Sequence, residues 1–183
     1  GSVTLDQVKK ASYLPEKTDY HNFTLMEDKH LDKSYELLNK YMEKYNFHPV
    51  FTKEEFKNEF LNNKFVTTYV AEDEDGEVLD FVSYYTLPTN VLKNNEKHKT
   101  IKRGYLYYYT CVNCTPYKLI QNILIMAKKY SVDVFSAMEN FENIYSLREL
   151  SFDESPITSH MYVYNYKMKE LQNIQIGHHV MLF

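Results

Sequence analysis

Tryptophan is absent from this sequence, cysteine appears twice, and only four of its 183 residues are glycine. Each scarcity removes a class of explanation. Without tryptophan, the 16% of the chain that is aromatic is all tyrosine and phenylalanine, so core and binding surface alike must be built from those rings. Two cysteines, Cys111 and Cys114 in the run "CVNC", fall short of the four ligands that a structural zinc site needs. A CxxC between strand and helix also occurs in redox proteins, but a pair of reduced thiols in a reducing, intracellular setting is the simpler reading. His178 and His179 are adjacent rather than a helical turn apart, with no obvious third ligand. No apolar run approaches the roughly 18–20 residues that span a bilayer, and no charged-then-apolar leader opens the chain. A cytoplasmic protein without stable membrane insertion is therefore expected. Basic residues are not in excess either. With 21 of them against 25 acidic ones the net charge is −4, which argues against nucleic acid as a partner. Gly1-Ser2, with no Met, reads as the remnant of a cleaved tag.

What is present is the patterned sequence of one domain, residues 1–183, long enough to bury a sizeable core. "NFTLM" (22–26) reads as a short strand. In the following run Leu31, Tyr35, Leu38, Tyr41, Met42 and Tyr45 recur at helical spacing. Thr52 and Glu55 make a capping box, opening a second helix with Phe56 and Phe60 on one face. Two β-rich runs flank "EDEDGE", where Asp75-Gly76 supplies the positive φ of a tight hairpin. The same acidic cluster lacks the closing Glu of a calcium-binding EF-hand and reads as a solvated turn.

The run from Arg103 to Cys111 reads as a tyrosine-rich strand. Simple alternation puts Tyr105, Tyr107 and Tyr109 on one face and Leu106, Tyr108 and Thr110 on the other. Thr115 as N-cap and Pro116 at the first helical position then open a largely apolar helix. "VDVFSA" follows as a strand, "NIYSLRELS" as a helix, "SHMYVYNYK" (159–167) as an alternating strand and "HHVMLF" as a final extended segment. No internal repeat, low-complexity linker or second domain is visible.

The order β-α-α-β-β-β-α-β-α-β-β predicts an α/β (α+β) domain, a mixed twisted sheet with helices on both faces. It resembles the GCN5-related N-acetyltransferase fold. In that fold the pyrophosphate of CoA rests on backbone N–H groups at the start of the helix after the fourth strand. Here that junction is "TCVNCTPYKL", with no glycine to let a phosphate approach and a proline where a donor is wanted. It makes a poor phosphate cradle.

The residues "NFTLMEDKHLDKSYELLNKYMEKYNFHPVFTKEEF", "TTYVAEDEDGEVLDFVSYYTLP", "HKTIKRGYLYYY", "KKYSVDVFSAMENFEN" and "YVYNYK" carry a second likeness. From about Leu5 to Phe183 the chain resembles the C-terminal half of eukaryotic glycylpeptide N-myristoyltransferases, and "DGEVLDFVSYYTLP" is the most specific part. The resemblance implies two pseudo-symmetric halves. An N-terminal half would hold myristoyl-CoA, the acyl donor, and this half would hold no cofactor and supply most of the groove for a peptide with an N-terminal glycine. The expected partners are such peptides or proteins and the missing N-terminal half. In this family the chain's own terminal carboxylate takes a proton from the glycine ammonium, a role that falls to Phe183. Thr89, Ile101, Tyr105, Ser136, Met138 and Leu182 match residues lining the peptide groove.

Three positions depart from the family pattern. Its glycine-rich KFGxGDG is here "SFDESPI", the Asn of its DVFNAL run is Ser136, and the Asn after its AAYSFY run is Tyr109. A divergent member with altered peptide preference is implied. Two other readings remain open at this point: a stand-alone acyltransferase of the GCN5 type, and a non-catalytic peptide-binding module. Nineteen lysines against two arginines, with abundant Asn and Tyr, would suit an AT-rich eukaryotic genome.

Overall fold

The structure, a computed structural model, describes residues 13–90, 99–140 and 142–178. Five strands form one sheet: β1 (Asn22–Leu25), β2 (Val66–Glu72), β3 (Val78–Asn90), β4 (Thr100–Tyr109) and β5 (Val134–Ser136), in the spatial order β1-β2-β3-β4-β5. The first four are antiparallel to their neighbours, and β5 runs parallel to β4. A parallel neighbour cannot be reached by a tight turn, so the chain crosses over through a helix.

Four helices accompany the sheet: α1 (Leu31–Met42), α2 (Lys53–Phe60), α3 (Pro116–Lys129) and α4 (Ile144–Glu149). The α1 helix buries Leu31, Ser34, Leu38, Tyr41 and Met42, a single stripe at helical spacing. The α2 helix opens on the expected capping box. Thr52 Oγ1 accepts from the Glu55 N–H at 3.2 Å and Glu55 Oε2 accepts from the Thr52 N–H at 2.8 Å. At α3, Thr115 Oγ1 accepts from the Lys118 N–H at 3.3 Å and Pro116 takes the first turn. In the β2–β3 hairpin Asp73 Oδ1 accepts from the N–H groups of Asp75 (3.0 Å) and Glu77 (2.8 Å), while Gly76 sits at φ 82°.

One side of the sheet carries α2. Phe60 meets Phe81 of β3 edge-on at 5.3 Å, and Phe56 lies 5.8 Å from the same ring. Leu119, Ile120 and Ile123 of α3 are fully buried, each worth about 1.5–3 kcal/mol relative to exposure.

Two sequence expectations are corrected. The tyrosines of β4 do not simply alternate. Val82 pairs with Tyr109 and Tyr84 with Leu106, so Tyr107 and Tyr108 together stand opposite Ser83, whose hydroxyl donates to Tyr108 O at 2.8 Å. This bulge shifts the phase by one residue. Tyr107 and Tyr108 both reach Phe60, at 5.9 Å each, and Tyr109 moves to the side of Val82. The expected strand over 159–167 does not form: those residues are exposed and in no ladder. Period-two patterning qualifies a segment for a sheet, but a strand also needs an edge to bond to. Of the final "HHVMLF" only His178 lies within the described residues.

Candidate functional site

The hairpin register brings most of the predicted groove residues into one strip. Thr89 faces Ile101 across β3 and β4, Tyr85 faces Tyr105, and Tyr105 in turn pairs with Ser136 of β5. Directly paired residues point to the same side of a sheet, and a separation of four along a strand keeps that side. Thr89, Ile101, Tyr85, Tyr105 and Ser136 therefore share one face. Thr89 is exposed, Ile101, Tyr105 and Ser136 are half-buried, and Tyr85 is buried beneath them. The Tyr85 and Tyr105 rings stack at 4.9 Å, nearly parallel at 11°, and Tyr107 meets Tyr85 edge-on at 5.5 Å. Tyr105 is thus the upper member of a tyrosine pile whose base is core. Tyr85 was not singled out from sequence. The signal lay in hairpin pairing, which sets it opposite Tyr105.

Half-buried Met138 lies two residues beyond β5 and is tied down by its backbone. Asn143 Nδ2 donates to Met138 O at 3.0 Å, and Asn143 Oδ1 accepts from the Asn140 N–H at 3.2 Å. From here the contacts lead to the end of the described chain. Asn140 Nδ2 approaches His178 O at 3.5 Å, and Tyr108 Oη lies 3.1 Å from His178 Nδ1. Asn46 and Phe47 both donate their N–H to Gln175 O, and Gly177 donates back to Phe47 O at 2.8 Å. Gly177 is required for this approach, since a Cβ there would sit 2.3 Å from the Tyr45 ring. Burial lowers the His178 pKa below its ordinary 6.5, so the imidazole is neutral at physiological pH. Leu182 and Phe183 lie outside the described residues.

The β4–α3 junction shows where the amides of the suspected phosphate loop go. Asp80 of β3 is fully buried. Its Oδ1 accepts from the Val112 N–H at 2.7 Å and the Thr110 hydroxyl at 3.3 Å. Its Oδ2 accepts from the Asn113 N–H at 3.0 Å and the Tyr20 hydroxyl at 2.7 Å. Asn113 Nδ2 closes the loop onto Leu79 O at 2.8 Å. A carboxylate of the chain itself thus sits on two of the backbone donors of this turn, beyond the missing glycine and the proline. An acidic residue inside the apolar run "VLDFV" was the available signal. Cys111 and Cys114 flank the same turn as free thiols, and their mutual hydrogen bond, with burial, pushes the Cys111 thiol pKa up. A thiol so held is a poor nucleophile. Among the described residues no three His, Cys, Asp or Glu side chains are gathered to hold a metal ion, and no helix is long and apolar enough to cross a membrane.

An antiparallel meander entering a β4–α3–β5 crossover, with helices alongside, defines the class as an acyltransferase-type fold. A Clostridium acetobutylicum protein described as a predicted acetyltransferase and solved with acetyl-CoA superposes with a TM-score of 0.58 over 77% of this chain and 95% of its own, at 12% identity. That likeness is one of fold. Sequence narrows the class to a family. The family model described as "Myristoyl-CoA:protein N-myristoyltransferase, C-terminal domain" matches residues 1–180, and the chain belongs to that family. The glycylpeptide N-tetradecanoyltransferase of Kluyveromyces lactis is 33% identical over 174 residues, covering 86% of this chain and 39% of that protein. A crystal structure of Saccharomyces cerevisiae N-myristoyltransferase with bound myristoyl-CoA has a TM-score of 0.76 and 29% identity, covering 83% of this chain and 42% of that one. The chain spans about two-fifths of the length of the curated relatives it matches.

Proposed function

We propose that this chain is the peptide-binding half of an N-myristoyltransferase, presenting an N-terminal glycine to myristoyl-CoA held by a domain that the chain does not contain. The supporting observation is the strip formed by Thr89, Ile101, Tyr105 and Ser136, with Met138 just past β5. From Thr89 to Tyr85 it runs four residues, roughly 13 Å of strand, enough to lie along about four residues of extended peptide. Its stacked tyrosines offer ring faces with hydroxyl tips, and Thr89 and Ser136 offer hydroxyls that can donate or accept.

The reaction requires the glycine α-ammonium, with an ordinary pKa near 8, to lose a proton before it can attack. The terminal carboxylate of Phe183 takes that proton. The free amine then attacks the thioester carbonyl, an N–C bond forms, the C–S bond breaks, and CoA leaves as its thiol. Backbone donors of the other domain would hold the developing oxyanion. On this reading the present half holds no acyl donor, and Asp80 is the reason, since it already engages the Val112 and Asn113 amides that a pyrophosphate would use. The same engagement disfavours a stand-alone acetyltransferase.

Titration calorimetry tests the division of labour. Myristoyl-CoA should give no binding heat with this chain, and micromolar binding would overturn the proposal. Myristoyl transfer to a glycine-initiated peptide should appear when the preceding domain is supplied and vanish when residues are appended after Phe183. Transfer that survives the extension would remove the carboxylate from the mechanism.

A further inference from the structure

The groove strip contains a charged residue that neither the family likeness nor the packing of its own strand accounts for. Arg103 of β4 lies between Ile101 and Tyr105, and it pairs with Leu87 of β3 on one side and Val134 of β5 on the other. A separation of two keeps a side chain on one face, and direct cross-strand partners share that face. Arg103 therefore points to the same side as Thr89, Ile101, Tyr105 and Ser136. The opposite side is closed at this point, since a Cβ on Gly104 would stand 3.0 Å from both Phe135 and Val132. Lys102, in phase with Gly104, is turned away from the strip and donates from Nζ to Tyr130 O at 3.1 Å.

Arg103 is half-buried, and its Nε is fully buried with no hydrogen-bond acceptor among the described residues. Its neighbours on the face, Ile101, Tyr105, Leu87 and Val134, carry no carboxylate. Asp133, next to Val134, is engaged elsewhere: its Oδ2 accepts from the Lys102 N–H at 2.8 Å. None of the ion pairs formed by the described residues includes Arg103, whereas the chain's other arginine, Arg148, meets Glu154 at 3.1 Å. A buried donor left unmade costs free energy that an arriving acceptor recovers. The guanidinium is always charged, and its planar fork fits both oxygens of a carboxylate, which the ammonium of a lysine does not. A chain that otherwise relies on lysine for its positive charge has an arginine here.

We propose that Arg103 is a specificity residue of the peptide groove, receiving the carboxylate of an Asp or Glu side chain in the glycine-initiated peptide. Two guanidinium N–H groups donate to the two carboxylate oxygens, on a strip whose other members offer only rings, hydroxyls and aliphatic chains. Selection then follows charge: a lysine at the same peptide position meets a like charge, and a glutamine forfeits the charged part of the bond. The inference rests on the reading of this strip as the groove for a glycine-initiated peptide.

Fluorescence anisotropy tests the proposal, using labelled peptides that begin with glycine and carry a single Glu, Gln or Lys walked along the sequence. They are titrated with this chain, the preceding domain being supplied. At one position Glu should bind about 10-fold more tightly than Gln, and Lys more weakly than either. Arg103→Gln should remove the Glu preference at that position, and Arg103→Glu should transfer it to Lys. Equal binding of the Glu and Gln peptides at every position would overturn the proposal on the unsubstituted protein, before any variant is made. A Glu preference that survives Arg103→Gln would overturn it as well. Acetylating the first glycine separates this inference from the reading beneath it. Affinity unchanged by acetylation, with the Glu preference intact, sinks the glycine groove and leaves Arg103 as a selector of acidic peptides. Affinity lost on acetylation, with no position preferring Glu, does the reverse. Failure of every peptide to bind removes both.

Discussion

Asp80 joins three separate segments of the chain through one side chain. It is a buried carboxylate satisfied by two backbone amides and two hydroxyls, at the point where β3, the β4–α3 turn and the N-terminal segment at Tyr20 meet. Replacing it by alanine strands the buried hydroxyls of Tyr20 and Thr110, each costing about 1–3 kcal/mol, and releases two part-buried turn amides. Asp80→Ala should therefore lose at least about 3 kcal/mol in urea unfolding. Gly177→Ala acts by collision instead, forcing a Cβ against Tyr45, and should release Gln175 from Asn46 and Phe47 with a cost of about 1–3 kcal/mol. Exchange of the Phe47 and Gly177 amides would report it.

Glu72 and His178 shape the acid response together with Asp19 and Glu55, whose carboxyls are also held below their ordinary range by hydrogen bonds to Lys118 and to the Thr52 backbone. Glu72 is buried beside Lys29 at 3.0 Å and His30 at 2.7 Å, and the Lys29 hydrogen bond leads in holding its pKa below 4.5. Burial alone holds His178 below 6.5. In both cases the folded pKa is depressed, so the contribution is complete above the ordinary value and is lost as pH falls through the folded one. Stability should decline first below pH 6.5 and again below pH 4.5. Glu72→Gln should lessen the second decline in urea titrations across pH, leaving the parts due to Asp19 and Glu55.

Among the elements, those whose signals are local were legible in the sequence. The α2 capping box, the Pro116 start of α3 and the Asp75-Gly76 turn each depend on neighbours a few residues apart. Thr52→Ala should cost about 1 kcal/mol through that box, read as a lower urea midpoint with unchanged slope. The β4 bulge was not legible, because nothing within "YLYYY" marks which two residues will share one partner. Ser83, 24 residues from Tyr107, decides that, and with it the separation of Tyr109 from Tyr105. Hence Tyr105 and Tyr108 reach the groove strip and the His178 contact respectively, while Tyr109 is packed deep, its hydroxyl pKa raised by burial.

For the whole molecule, composition and order of elements determined the class. A mixed sheet and a crossover after β4 follow from periodicity and from where glycine and proline are placed, since these act through short-range sterics and hydrogen bonding. Tertiary structure alone decided the rest. It aligned Thr89 with Ile101 and Tyr105 with Ser136, seated Asp80 on the turn amides 32 and 33 residues away, and left residues 159–167 outside every ladder formed by the described residues. Each of these is a pairing between distant segments. Its energy appears only once both partners are in place, and a strand pattern names a willing partner without saying where the other lies.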